Sequence, residues 1–242
     1  MDFLRFFVGI FGNASALFLF LAPVMLFKRI IQNRSTEEFS GVIYILTLLS
    51  RLLPAWYGLP FVSPWNVLLS TVNGTGAVIE TMYVLTFIVL APKKEKLKIV
   101  GLFAFVLAVF SAVVVISLFA FHGKPRMLFC GFTAAVFSIF MYGSPLSIIR
   151  MVIKTKSVEH MPFLVSLLVF LCGTSWFIFG LLGRDPFVAV PNGMGSALGA
   201  IQLLLYFIYR DSKSACERPT TQEESVEMAA RKPHELDANN AA

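Results

Sequence analysis

Seven apolar runs, at about 6–27, 42–62, 68–91, 99–121, 129–150, 163–183 and 188–209, alternate with short polar or basic segments along this chain. Each run is near the ~20 residues that a helix needs to cross the hydrocarbon core of a bilayer. The pattern predicts seven membrane-spanning helices. The first run is too long for the apolar part of a secretory signal and lacks a small-residue cleavage site, so it is expected to remain as an anchor. From about residue 211 the chain turns polar and charged, with Glu223-Glu224, and reads as a disordered cytosolic tail.

The pattern also repeats. Arg34-Ser35-Thr36-Glu37 returns as Lys156-Ser157-Val158-Glu159, Pro23 as Pro145, and Gly58-Leu59 as Gly180-Leu181, all 122 residues later. Asn73-Gly74-Thr75-Gly76 returns as Asn192-Gly193-Met194-Gly195 after 119 residues, so a connecting loop is shorter in the second copy. Each copy holds three spans, an odd number. Two such units joined directly would point in opposite directions, and the unmatched fourth span restores the direction. The expected architecture is all-α: two parallel three-helix bundles and a linker helix, 3+1+3, about a pseudo-twofold axis along the membrane normal. The units are 1–91, a linker 92–126, 127–210 and the tail 211–242. Duplicated membrane units are typical of carriers, in which two halves rock about a site between them.

Composition agrees with burial in lipid. Apolar residues make up 57% and charged residues 14%, where a soluble domain carries roughly 25% charge; the mean hydropathy is +0.77. Alternate loops divide the basic residues unequally. One side holds Lys28, Arg29, Arg34, Lys93, Lys94, Lys96, Lys98, Arg150, Lys154, Lys156, Arg210 and Lys213; the other holds Arg5, Lys124, Arg126 and Arg184. The excess of Lys and Arg expected in cytoplasmic loops then places the N-terminus outside and the tail in the cytosol. The net charge of +6 is thereby a topology signal, and no nucleic-acid partner is expected.

Cys130, Cys172 and Cys216 make no disulfide framework, and the triplets beginning at Asn13, Asn33 and Asn73 fall in or near spans or on the cytosolic side, where glycosylation is not expected. There is no phosphate-binding G-x-x-x-x-G-K-[ST] loop, no metal-ligand spacing among the Cys and His122, His160 and His234, and no nucleophile elbow. The expectation is a non-enzymatic protein with no cofactor and no metal.

Ordered matches carry a family resemblance from about residue 5 to 210. They are Phe18-Leu19-Phe20-Leu21-Ala22-Pro23, Ala55-Trp56-Tyr57-Gly58-Leu59-Pro60-Phe61, the Asn73 block, Met141-Tyr142-Gly143-Ser144-Pro145-Leu146 and Cys172-Gly173-Thr174-Ser175-Trp176. The chain resembles a SWEET sugar transporter, near the plant hexose-transporting clade. The resemblance implies bidirectional, facilitative uniport of a monosaccharide, with glucose as the first candidate, a plasma-membrane location and a homo-oligomer in the bilayer.

Candidate residues follow. Asn73 and Asn192 occupy equivalent places on spans 3 and 7. A carboxamide both donates and accepts, which suits vicinal sugar hydroxyls; taken alone, the same residues equally fit interhelical hydrogen bonding or helix capping. Trp176 can stack on a pyranose face or simply pack. The resemblance assigns Asn73, Asn192, Trp176 and position 54 to the sugar. Pro23, Pro145 and Pro162 are expected to kink spans 1, 5 and 6 near the inner mouth, where the resemblance implies a ring of four prolines. The fourth position is Ile43 here, and Ile45, Pro54 and Arg51 also depart from the family pattern. Tyr57 and Asp185, near the outer ends of spans 2 and 6, fit either a phenol–carboxylate latch or an interfacial aromatic beside a solvated acid; the resemblance implies that they form the outer gate. Gly58, Gly131, Gly180 and the Gly195-x-x-x-Gly199 pair are read as close helix approaches. Arg51 at mid-span needs a partner or water, and Glu80 on span 3 is the expected contact; lining an aqueous cavity is the alternative.

Two rival readings stand beside this one, the second from another class. One is a proton-coupled PQ-loop-type carrier of an amino acid, in which Glu80, alone or with Asp185, would relay protons; the Pro-Gln dipeptide of those carriers does not occur. The other is a seven-span receptor, against which the internal repeat and short loops argue.

Overall fold

In the computed structural model, residues 3–36, 39–158 and 161–210 are described, and their regular structure is helical throughout. The helices are α1 Phe3–Leu21, α2 Val24–Asn33, α3 Val42–Tyr57, α4 Val67–Leu90, α5 Lys93–Phe119, α6 Lys124–Phe140, α7 Gly143–Thr155, α8 Phe163–Leu182 and α9 Pro186–Tyr209. They make seven spans, because α1–α2 and α6–α7 are each one span with a break. Six spans are long and apolar enough to cross a bilayer, while α3 is a shorter apolar helix. Glu37, Glu159, His160 and the tail from residue 211, with Cys216, lie outside the described residues.

The breaks fall where the repeat places proline. Pro23 caps α2, and the turn before it closes through Ala22 N–H to Leu19 C=O at 3.2 Å. Tyr142 stands at the N-cap of α7, its N–H donates back to Ile139 C=O at 3.0 Å to close the end of α6, and Pro145 lies in the first turn of α7. Proline is tolerated there because first-turn N–H groups have no intrahelical acceptor. Both interrupted spans also end alike: Arg34 at φ 47° and Lys156 at φ 51° adopt the left-handed conformation at the ends of α2 and α7.

Some expectations need correcting. Pro162 does not kink span 6; it precedes α8 as its N-cap in extended backbone, starting the helix rather than bending it. Span 2, expected over 42–62, stops at Tyr57, and turns occupy the segment up to Asn66. Pro60 and Pro64 lie in that segment and disfavour helix at the residues before them. Span 4 starts at Lys93 instead of 99, since the lysines after Pro92 are good helix formers. Prolines inside helices occur at Pro54 in α3 and Pro191 in α9.

Packing orders the bundle. α4 lies against both α1 and α3, as α9 lies against both α6 and α8, so the third span of each unit sits between the other two. Across the units α1 packs on α8 and α3 on α6. The repeat correspondence exchanges these two contacts, as a half-turn between the units requires. α5 packs on α3, α4 and α6. It is held by Trp56 Nε1 donating to Ser117 Oγ at 3.0 Å and by Arg126 Nε donating to Ser117 O at 2.8 Å and Phe121 O at 3.1 Å. The arginine thus serves carbonyls that a helix end leaves unpaired.

Glycine sets how closely these helices approach. A Cβ on Gly58 would lie 2.6 Å from Ser70 N, and one on its repeat partner Gly180 2.5 Å from Ala189 N. Gly199 meets the Phe170 backbone at 2.8 Å, and Gly131 meets the Phe187 and Tyr57 rings. These glycines therefore pack within the chain. Gly180→Ala is expected to destabilise the fold by about 1–3 kcal/mol through overpacking, lowering the melting temperature in detergent. Gly101→Ala, with no atom within 4 Å of the added carbon, is expected to leave it unchanged or raise it; equal melting behaviour of the two variants would refute this account.

Candidate functional site

A cavity of about 330 Å³ lies between the two three-helix units, lined from α1, α3 and α4 on one side and from α6, α7, α8 and α9 on the other. Asn73, Asn192, Pro54 and Trp176 all line it. Pro54 and Trp176 are repeat partners at the 122-residue shift, so the cavity presents a small ring on one wall and an indole on the opposite one.

The two asparagines are held in the same way. Asn73 Nδ2 donates to Leu69 O at 2.9 Å, and Asn192 Nδ2 donates to Val188 O at 2.8 Å. Leu69 and Val188 are themselves repeat partners. Each carboxamide is thus fixed against its own helix four residues back, in the interior of that helix, and these bonds neither link two helices nor cap one. Three residues beyond each asparagine is the glycine that seats a ring. A Cβ on Gly76 would meet Phe20 at 2.9 Å, and one on Gly195 would meet Tyr142 Oη at 2.7 Å. Phe20 and Tyr142 again correspond, and both line the cavity. Trp176 is buried and packs at 5.0 Å on Phe179; Gly12 of α1 clears the space for its indole, which a Cβ there would meet at 2.9 Å.

One end of the cavity is tied shut by hydrogen bonds. Tyr57 Oη donates to Asp185 Oδ2 at 2.7 Å, and Asn66 Nδ2 donates to the same oxygen at 2.6 Å. Asp185 Oδ1 accepts from Phe187 N and Val188 N, capping α9. Arg5 Nη2 donates to Asn66 Oδ1 at 2.8 Å, its Nε to Phe179 O at 3.3 Å, and its guanidinium lies 4.3 Å from the Phe179 ring centre. The network joins α1, α3 and the α3–α4 turn of one unit to α8 and α9 of the other.

At the opposite end the units pack separately. α2 lies on α4 and α7 on α9. Phe27 stacks on Tyr83 at 4.0 Å, Tyr83 Oη donates to Phe20 O at 2.9 Å, and Tyr44 and Phe87 complete an aromatic cluster. Ile149, Val152, Met161 and Leu205 form a second core of their own. Of the four expected inner-gate residues, Pro145 alone lines the cavity; Pro23 is half-buried at its helix break, while Ile43 and Pro162 are exposed.

Arg51 and Glu80 are not brought into contact. No ion pair joins them among the described residues, and Arg51 Nε and Glu80 Oε2 are both buried without a hydrogen-bond partner, although their charges remain within electrostatic reach. The Arg51 guanidinium lies 4.6 Å from the Phe20 ring centre and lines the cavity, whereas Glu80 does not. The repeat explains the spacing: Arg51 and Glu80 correspond to Gly173 and Gly199, where α8 and α9 nearly touch through the Ser196 and Phe170 backbones. Side chains of that size cannot occupy the same interface in the first unit at the same separation.

Sequence reasoning missed Arg5, Asn66, Tyr142 and Pro191. In the distribution of basic residues Arg5 reads as a loop charge, although a lone arginine at the head of an apolar run obeys the rule applied to Arg51. Asn66 stands where a helix cap belongs, just before an apolar run, and its side chain is committed to Arg5, Ser63 and Asp185 instead. Tyr142 Oη donates to Pro191 O, a contact between spans that no local pattern encodes.

A family described as "Sugar efflux transporter for intercellular exchange" matches residues 6–95 and 128–214. The chain is 69% identical over 205 residues to the bidirectional sugar transporter SWEET1 of Arabidopsis thaliana, covering 85% of this chain and 83% of that protein. It is 64% identical over 211 residues to SWEET1a of Oryza sativa subsp. japonica, covering 87% and 77%. A solved structure of a eukaryotic SWEET transporter superposes with a TM-score of 0.85 at 44% identity, covering 87% of this chain and 98% of that one.

Proposed function

Because this chain belongs to the MtN3/SWEET family of sugar transporters, we propose that it carries a monosaccharide across a membrane in both directions, by facilitative uniport, with glucose as the first substrate to test. One observation carries the reading: the duplicated asparagines, fixed identically on α4 and α9, face a single cavity between the repeats. Its volume is at the small end of the ~300–1,000 Å³ usual for small-molecule sites, which suits one sugar ring better than two.

In this proposal the ring lies against Trp176, and its hydroxyls exchange hydrogen bonds with Asn73 and Asn192. The Tyr57–Asp185–Asn66 network is the outer gate, closed here, and the breaks at Pro23 and Pro145 are where the inner halves bend. Separate cores at that end let each unit move as a body. The unequal distribution of basic residues supports an outside N-terminus. Residence in the plasma membrane and assembly into homo-oligomers rest on the family resemblance alone.

The test is uptake of labelled glucose into proteoliposomes with and without an imposed proton gradient. Saturable uptake that equilibrates at the external concentration and ignores the gradient is the expected result. Accumulation that follows protons would instead favour a proton-coupled carrier relying on Glu80, the buried acid with an unpartnered oxygen.

A further inference from the structure

Arg51 is the one formally charged side chain among the described residues that line the cavity. It makes no hydrogen bond or ion pair among those residues, and its Nε is buried without a partner. A guanidinium carries five N–H donors in a planar fork, and buried donors of this kind are normally matched. Phe20 covers one face of the group at 4.6 Å, which uses the ring's π-face and leaves the N–H edge unspent. No acidic residue lines the cavity to neutralise it, and Glu80 stays behind the wall without forming a contact pair.

A mid-span cation whose one acidic neighbour, Glu80, stays within electrostatic reach but makes no contact with it still leaves its N–H donors unmatched, and a neutral sugar answers those donors only with hydroxyls. A carboxylate meets both the charge and the donors, because the guanidinium fork binds it bidentately. We propose that Arg51 makes this cavity a site for a monosaccharide carboxylate, a hexuronate or an aldonate, and that it is the specificity-determining residue for that anion. The carboxylate sits on the α3 wall at Arg51. The ring then faces Trp176 on α8, and the remaining hydroxyls reach Asn73 and Asn192. The second repeat has no equivalent, since its matching position is Gly173, so the site is one-sided and the anion enters in one orientation. The inference rests on the sugar-carrier reading above and adds a charged class to its substrates.

The experiment compares labelled glucuronate and labelled glucose in proteoliposomes of the full chain, as uptake and as mutual competition, with a potassium-diffusion potential of either sign. Glucuronate is expected to compete with glucose, and its uptake, unlike that of glucose, to be faster when the interior is positive, because a net negative charge crosses. Arg51→Gln is expected to lower the glucuronate-to-glucose uptake ratio about tenfold or more, as loss of a charge-assisted pair implies. Arg51→Lys, which keeps the charge without the fork, is expected to fall between. Glucose uptake that glucuronate cannot inhibit would overturn the inference while leaving the sugar carrier intact. A ratio unmoved in both variants would do the same. Failure to carry either compound would remove the carrier reading and this inference together. The competition and voltage readouts need only the unmodified protein, so a poorly folding Arg51→Gln variant does not protect the proposal.

Discussion

Asn73→Ala and Asn192→Ala are each expected to lower sugar uptake by about tenfold to a hundredfold, and the double variant to reduce it to background. Each carboxamide spends one N–H on a carbonyl of its own helix, and that bond orients its oxygen and second N–H before any ligand arrives. Two neutral hydrogen bonds lost per asparagine amount to about 1–3 kcal/mol, and every 1.4 kcal/mol is tenfold in affinity. The anchoring carbonyls belong to helix interiors and are not stranded by the change, so thermal stability should move little. That contrast separates a ligand-binding role from a structural one. Uptake that survives in the double variant, or a melting temperature that falls in step with activity, would sink the assignment.

Asp185→Ala is expected to act in the opposite manner, with its effect on the conformational equilibrium and on stability. Asp185 accepts from Tyr57, Asn66, Phe187 N and Val188 N. Loss of a helix cap costs about 0.5–2 kcal/mol, and each hydrogen bond to a charged acceptor contributes about 1.5–3 kcal/mol. The two side-chain bonds cross between the repeats, so their removal destabilises the state closed at this end by several kcal/mol relative to one in which the end has opened. Spin labels at the exposed positions 61 and 184, in a background without other cysteines, should report a longer distance in the variant. An unchanged distance distribution would mean that packing of Gly131 on Phe187 and Tyr57 keeps this end shut without Asp185. Asp185→Asn keeps a side-chain oxygen for the α9 cap while removing the charge, and is expected to show a smaller shift.

Much of this protein was legible locally. Span number follows from runs of apolar residues, because a lipid-embedded backbone must satisfy its own hydrogen bonds and so forms helices. The breaks at Pro23 and Pro145 follow from a ring that lacks an N–H. The pairing of Tyr57 with Asp185, 128 residues apart, was reached through resemblance, since no short pattern contains both. Pro162 misled because a proline near a span's start looks like one inside it until the helix boundary is known. The absence of an Arg51–Glu80 contact is not legible in the sequence, because two opposite charges at similar depth meet only if their helices turn them toward each other, and Arg51 alone lines the cavity.

The sequence by itself determined the repeat, the number of spans, the odd linker and hence the parallel arrangement of the two units, together with the residue types placed at equivalent positions. These depend on periodicity, length and the intrinsic behaviour of single side chains. Only the tertiary structure decided which equivalent residues share a cavity, that Asn66 and Arg5 join the closed end, and that Arg51 turns toward the cavity while Glu80 stays behind it. Those outcomes depend on the rotation and separation of packed helices. The separation is set by what stands at the contact, glycines at 173 and 199 in one unit, and an arginine and a glutamate in the other.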